Sequence, residues 1–167
     1  MSAQDNIELV KRFIDDVWNN QNADNARQYL TDDYVEHNPI GDFKGIDEFC
    51  TYLESVLEAY PDNQINLKEG TGDGQLVAFR YTIEGTQTGN FGPLEPTNER
   101  VKLDACYFGR IEDGKIAESW YQFDQLSLMV QLGLIELPDF MKEMQGQMEA
   151  RGRRTESERR APGRPGA

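Results

Sequence analysis

The hydrophobic period of the chain changes near residue 64 and changes back after residue 124. Before residue 64 the apolar residues recur every three to four positions, between these points they alternate, and afterwards the longer period returns. Because these periods belong to helices and strands respectively, the order predicts helices, then antiparallel strands, then closing helices. We therefore expect an α+β fold in which a strongly curved antiparallel sheet packs on the N-terminal helices and forms a cone with an internal pocket.

The helical segments have clear boundaries in the sequence. Apolar spacing predicts a first helix over about residues 4–20 and a short second helix over about 23–30. An extended segment follows, in which Pro39 disfavours a helical conformation at Asn38. A third helix is predicted over about residues 46–60, and a last amphipathic helix over about 138–148.

The turn EDGK, residues 112–115, sets the register of the last predicted hairpin. With Asp113–Gly114 as a two-residue loop, Glu112 pairs with Lys115. Residues that directly oppose each other across the two strands point to the same face of the sheet. Counting outward, the face expected to line the pocket is apolar and aromatic, and it consists of Leu103, Ala105, Tyr107, Ile111, Ile116, Trp120, Gln122 and Asp124.

Asp124 has two possible roles in this arrangement. A carboxyl group desolvated beside Trp120 has a raised pKa, which suits a general acid or base. Alternatively, Asp124 caps the helix that begins at Gln125, since aspartate is among the best N-cap residues. A shift of the register by one residue would move Asp124 off the predicted pocket face.

Other polar residues are weaker candidates for the site. His37 is the chain's one histidine and titrates near neutral pH, although a structural histidine is also common. Asn38 precedes a proline and is typical of a turn. Arg80 lies in an alternating segment, either as a pocket cation or in a surface ion pair. Gln122 and Tyr34 are further candidates for substrate contacts.

Charge excludes several classes of partner. The net charge is −13, and the last 19 residues carry six arginines and three glutamates, so the rest of the chain carries −16. Such a body repels nucleic acid and anionic membranes. We predict one domain over residues 1–148 and a disordered Arg-rich tail over 149–167. With one histidine and two cysteines, no Cys/His zinc site is expected, and the absence of a signal-like N-terminus indicates the cytoplasm.

Several segments in a fixed order resemble a known family. They are NIELVKRFIDDVWN, LTDDYVEHNP, GIDEFCTYLESVLEAYPD, VAFRYTIEGTQTGNFGPLEPTNERVKL and FGRIEDGKIAESWYQFDQLSLMVQLG, and they span about residues 6–133. Together they resemble the SnoaL-like polyketide (ester) cyclases of the nuclear transport factor 2-like superfamily. The family's W-x-x-x-D element falls on Trp120 and Asp124, and its H-N-P element falls on His37, Asn38 and Pro39.

The resemblance implies a cone with a deep pocket, a homodimer or homotetramer, and catalysis without a metal or organic cofactor. It also implies ring closure by aldol condensation with Asp124 as the acid/base. Many members carry histidines where this chain has Ser119, Tyr107 and Gln87. An enolate would then need Tyr107 or His37 as its hydrogen-bond donor.

Two hypotheses about function follow. The first is a cofactor-independent enzyme in which Asp124 removes a proton alpha to a carbonyl of a small apolar or polyketide-like substrate. Tyr107, His37 or Asn38 would stabilise the enolate, while Trp120 and Gln122 position the ring. The second is a non-catalytic domain of the same fold that binds a small molecule or another protein.

Overall fold

The computed structural model describes the backbone of residues 2–160 and the side chains of residues 2–151. The chain forms two compact units, Met1–Leu134 and Ile135–Ala167. The first unit contains every strand of the described chain and both cavities on the concave face of the sheet. The extent of the domain, residues 1–148 from the sequence, stays a prediction.

The helices of the first unit lie close to their predicted positions. The first predicted helix is α-helical only in its first part and continues as a π-helical segment, Ile14–Asn19. Ser2 begins it with a capping box, in which the Ser2 hydroxyl accepts a hydrogen bond from the backbone N–H of Asp5 and the Asp5 carboxylate accepts one from the backbone N–H of Ser2. A 3-10 turn, Ala23–Asn25, precedes the second helix. The α-helices are α1 (Ala3–Phe13), α2 (Ala26–Tyr29), α3 (Ile46–Ala59) and α4 (Gln125–Gln131).

A six-stranded, unclosed sheet packs on these helices, as the α+β prediction required. The strands are β1 (Leu30–Asn38), β2 (Gly41–Lys44), β3 (Gln64–Asp73), β4 (Leu76–Thr86), β5 (Arg100–Glu112) and β6 (Lys115–Phe123). Their order across the sheet is β2-β1-β6-β5-β4-β3. The sheet is antiparallel except between β1 and β6, which run parallel. The short strand β2 was not predicted, because four residues are too few to show a period.

The predicted register of the last hairpin is right at the turn and wrong beyond it. Glu112 pairs with Lys115 as expected, and Asp113 and Gly114 adopt the positive φ angles of a type I′ turn. A β-bulge then shifts the register, because Ile111 pairs with Ile116 but Arg110 pairs with Glu118. The bulge adds one residue to β6, so the β6 side chains beyond it face the opposite side from the prediction, while those of β5 keep the predicted face.

The core lies between the concave face of the sheet and helices α1 and α3. Phe49 of α3 is fully buried at its centre and packs against Trp18, Tyr34 and Tyr52 with ring centroids 5.1–6.5 Å apart. Phe49 and Tyr52 belong to α3 and Tyr34 belongs to β1, so these contacts join α3 to the inner face of β1. The arrangement leaves the inner face of β1 enclosed by aromatic side chains.

The second unit contains the helix α5 (Asp139–Arg160). The sequence predicted helix only to residue 148 and a disordered tail from residue 149. The helix continues because arginine and glutamate, which dominate residues 149–160, both have high helix propensity. Residues 161–167 of the predicted tail lie outside the described residues. Among the described helices, none is long and apolar enough to cross a membrane.

Candidate active site

Two adjoining cavities open along the concave face of the sheet. The inner cavity has a volume of about 80 Å³ and the outer cavity about 350 Å³. They share five lining residues, so they are two parts of one cleft. The outer volume is in the range of ligand pockets, whereas the inner cavity admits only a small group. The shared residues are Tyr52, Val56, Asn63, Ile83 and Tyr121.

Glu36 is the one carboxylate that lines the inner cavity among the described residues. Its side chain is only 5% exposed, and aromatic and aliphatic groups form most of the surrounding wall. Burial raises the pKa of Glu36 from 4.5 to about 7, although hydrogen bonds from Asn38 and Tyr34 oppose this effect. Both protonation states are therefore accessible near neutral pH, which is the condition for a general acid/base.

Strand β1 positions Glu36 by simple alternation. Tyr34, Glu36 and Asn38 are two residues apart, so all three point to the inner face. Tyr34 donates from Oη to Glu36 Oε2 at 3.1 Å, and Asn38 donates from Nδ2 to Oε1 at 3.0 Å. Tyr34 is also hydrogen-bonded to the buried Ser119 hydroxyl. Both oxygens of the carboxyl group are thus held by partners that are themselves buried.

Tyr107 lines the same cavity from strand β5. Burial raises its pKa, so its phenol stays protonated at neutral pH. The Tyr107 hydroxyl lies near that of Ser119, which is already paired with Tyr34, and it makes no hydrogen bond of its own. Gly109 gives this ring its space, because a Cβ atom there would lie 2.6 Å from Tyr107 Oη.

Asp124 lies outside the cleft. It follows the last residue of β6, its side chain is exposed, and it lines neither cavity. Its carboxylate accepts a hydrogen bond from the backbone of Ser127 at 2.8 Å and so caps α4. This is the alternative role that the sequence allowed. The predicted position of Asp124 on the aromatic inner face is wrong.

His37 and Trp120 form a separate cluster on the outer face of the sheet. Their rings stack with centroids 5.3 Å apart. The imidazole contacts Asp42 through Nδ1 and Glu118 through Nε2, both at 3.0 Å. The prediction that Tyr107 faces Trp120 is wrong, because Trp120 pairs with Phe108 and Tyr107 pairs with Tyr121.

The remaining predicted residues divide between the two faces. Arg80 is half-exposed and forms an ion pair with Glu69 at 2.7 Å, which is the surface alternative for this residue. Gln122 is exposed on the outer side. Asn38 lines the outer cavity, and Tyr34 donates a hydrogen bond to the Glu36 carboxylate. The structure therefore brings together Tyr34, Asn38 and Tyr107, but not the other five candidates.

Glu36 itself was missed by the sequence analysis, although a signal for it exists. The segment YVEHNP contains both Glu36 and His37, and the histidine was chosen because it titrates near neutral pH. Strand alternation from Asn38, which was already a candidate, selects Glu36 for the same face and excludes His37. No group of three or more His, Cys, Asp and Glu side chains within residues 2–151 could hold a metal ion.

The outer cluster allows a direct test of its electrostatics. The hydrogen bond with Glu118, supported by Asp42, raises the pKa of His37 against the opposing effect of partial burial. We expect Glu118→Gln to lower the pKa of His37, and Asp42→Asn to lower it by less. Proton NMR titration needs no assignment, because His37 is the only histidine. An unchanged pKa in Glu118→Gln would contradict the described contact.

Comparisons with known proteins identify the fold. A model of the SnoaL-like polyketide cyclase family matches residues 8–132. A protein assigned as a SnoaL-like polyketide cyclase from Jannaschia sp. CCS1 is similar in structure, with 21% identity and a TM-score of 0.73 over 80% of this chain and 95% of that one. No curated protein sequence matches the chain.

Two Streptomyces structures are similar as well. AclR from Streptomyces galilaeus, assigned as a hydroxylase, has 24% identity and a TM-score of 0.74 over 93% of this chain and 98% of its own. IdmH from Streptomyces antibioticus, assigned as a polyketide cyclase, has 20% identity and a TM-score of 0.65 over 77% of this chain and 98% of its own. At such identities the structural likeness establishes the fold alone.

Proposed function

Because the chain belongs to the SnoaL-like polyketide cyclase family, we propose that it is a cofactor-independent acid/base enzyme acting on a small apolar carbonyl compound. In this proposal Glu36 transfers the proton. The reaction is an aldol-type ring closure or an isomerisation of a polyketide-like substrate. The protein is a homo-oligomer that works without metal or organic cofactor.

The observation that carries the proposal is a buried carboxyl group in an aromatic cavity. The pKa of Glu36 is raised to about 7, and each carboxyl oxygen receives a hydrogen bond. A base with this pKa is half-ionised near neutral pH, so it can accept a proton and return it in one catalytic cycle. General acid/base groups contribute about 10²–10⁴-fold to a rate.

The two cavities suggest how a substrate would bind. A ring system fits the outer cavity of about 350 Å³, and its reactive carbonyl end enters the inner cavity of about 80 Å³. The Glu36 carboxylate then removes a proton from the carbon next to the carbonyl and leaves an enolate. In a ring closure, the enolate carbon bonds to a second carbonyl carbon, and protonated Glu36 returns the proton to the new alkoxide. In an isomerisation, protonated Glu36 returns the proton to a carbon other than the one that lost it.

Proton exchange tests this proposal without knowledge of the natural substrate. With α-tetralone in D₂O, we expect the protein to speed exchange of the hydrogens next to the carbonyl, measured by NMR. We expect Glu36→Gln to reduce the protein-catalysed rate at least about 100-fold, because glutamine cannot accept the proton. Glutamine keeps the size of the side chain, so the cavity should stay intact.

Asp124→Asn is the matched control, since asparagine caps helices about as well as aspartate. We expect its exchange rate to equal that of the wild type. A large loss in Asp124→Asn with none in Glu36→Gln would return the acid/base role to Asp124. Binding of α-tetralone with no catalysed exchange would instead support a non-catalytic binding domain.

A further inference from the structure

Asn63 lines the cleft and carries a buried side-chain donor without a partner among the described residues. It is 3% exposed, lines both cavities, and its side-chain Nδ2 has no hydrogen-bond partner among the described residues. Its backbone is fixed, because the amide donates to Tyr60 and the carbonyl accepts from Gln64. A buried polar group without a partner is costly, so its retention at this point needs an explanation.

The other polar groups near Glu36 are already engaged. Asn38 uses Nδ2 for Glu36 and Tyr52, and its Oδ1 accepts from the backbone of Ile40. Five buried side-chain atoms lack a partner in the described part of the chain, and two of these belong to residues that line a cavity. These two are Nδ2 of Asn63 and Oη of Tyr107, which line the inner cavity together with Glu36.

We propose that Asn63 Nδ2 donates a hydrogen bond to the substrate's carbonyl oxygen and stabilises the negative charge that forms there. The inference rests on the proposed function and names the group that receives the charge when Glu36 removes the proton. The small volume of the inner cavity brings the carbonyl carbon and its neighbour close to both side chains. A donor that is fixed before the reaction stabilises the enolate without having to reorganise.

The same geometry defines the class of substrate. Within residues 2–151, no lysine, arginine or histidine lines either cavity. A carboxylate or phosphate on the bound part of the substrate would therefore enter the cleft without a counter-ion, at a large desolvation cost. The substrate is a neutral ring compound, and its carbonyl oxygen is held by an amide at the junction of the two cavities.

Paired ligands test this inference through binding as well as through rate. We expect the wild type to bind α-tetralone more tightly than tetralin, which has the same ring system without the oxygen, as measured by NMR titration. Asn63→Leu should reduce this preference about tenfold and slow the exchange of α-tetralone about 100-fold. The melting temperature of Asn63→Leu should equal or exceed that of the wild type, because an unpaired buried amide is removed.

Thr82→Val is the matched control. Thr82 also has a buried hydroxyl without a partner, but it lines neither cavity. Its replacement should leave both the ligand preference and the exchange rate unchanged. A wild type without preference for the ketone, an unchanged preference in Asn63→Leu, or a lowered melting temperature in that variant would each overturn the inference.

The outcomes also separate this inference from the proposed function. If Glu36→Gln abolishes exchange while Asn63→Leu retains the ketone preference, the acid/base function stands and the role of Asn63 fails. If the wild type catalyses no exchange but Asn63→Leu loses the preference, Asn63 binds the carbonyl oxygen and the catalytic proposal fails.

Discussion

Glu36→Gln is expected to raise the free energy of unfolding by on the order of 3 kcal/mol at about pH 8, while leaving it nearly unchanged at about pH 4. The reason is that burial raises the pKa of Glu36 from 4.5 to about 7. Above that pH the folded protein must hold an ionised carboxylate inside an aromatic cavity. Glutamine carries no charge at any pH and removes this cost.

The sign follows from proton binding. Between about pH 4.5 and pH 7 the folded state keeps the proton on Glu36, whereas the unfolded chain loses it. Because the folded state binds more protons in this window, the stability of the wild type falls as the pH rises. His37 also has a raised pKa, so it contributes a loss of the same sign as the pH rises through the pKa of the folded state. His37 makes the same contribution in both proteins, so it cancels in the difference in free energy of unfolding between the wild type and Glu36→Gln.

The hydrogen bonds around Glu36 can accommodate glutamine. Asn38 can still donate to the side-chain oxygen, and Tyr34 can accept from the new amide because a hydroxyl both donates and accepts. Tyr34 can then donate its proton to Ser119, with which it is already paired. The substitution therefore keeps a partner for each end of the side chain, although one N–H of the new amide has none.

Urea unfolding curves measured from pH 4 to pH 8 would give the difference directly. Glu118→Gln is the matched control, since its hydrogen bonds with His37 and Arg110 lower the pKa of Glu118. A carboxyl group whose pKa is lowered by folding stabilises the fold at any pH above its pKa in the unfolded chain. The Glu118→Gln variant should therefore lose stability at neutral pH. The burial of an ionisable Glu36 would be contradicted if the gain in free energy of unfolding in Glu36→Gln stayed constant with pH. It would also be contradicted if Glu36→Gln were less stable than the wild type at pH 8.

The fold was largely predictable because its signals are local. The change of period at residue 64 marked the sheet, and the EDGK turn fixed the pairing of Glu112 with Lys115. The bulge after Ile116 gave no such signal. Ile116 and Ala117 are both apolar and both buried, so the sequence does not show that one of them is the extra residue of β6.

That one residue accounts for most of the errors at the site. It moved Trp120 and Gln122 to the side of the sheet opposite to Tyr107, whereas Asp124 lies beyond the last residue of β6. The inner position of Glu36 was predictable from its spacing to Asn38. Its degree of burial was not, since that depends on rings from α3 and β5, which are distant in sequence.

The second large effect concerns the packing that encloses Glu36. Phe49→Ala is expected to lower the free energy of unfolding by about 3–5 kcal/mol, because it removes a fully buried ring and leaves a cavity. Phe140→Ala is the matched control, with a ring that is 63% exposed on α5. Phe140→Ala should change the free energy of unfolding by no more than about 0.5 kcal/mol. Urea unfolding at one pH measures both variants.

Phe49 also links the core to the candidate site. Its ring packs edge-on against Tyr34, which donates to Glu36, and it contacts Tyr52, which accepts from Asn38. Loss of the ring should loosen both partners and admit water beside the carboxyl group. Because desolvation is the main cause of the raised pKa of Glu36, that pKa should fall toward 4.5 in Phe49→Ala.

A double substitution measures this coupling between the Phe49 ring and the protonation of Glu36. In the Phe49→Ala background, Glu36→Gln should stabilise the protein by less at about pH 8 than it does in the wild type. Residues that share a packed cluster are expected to show such non-additivity, whereas Phe140→Ala should leave the effect of Glu36→Gln unchanged. Additive effects of Phe49→Ala and Glu36→Gln would mean that the aromatic core does not set the protonation of Glu36. The raised pKa would then need another cause.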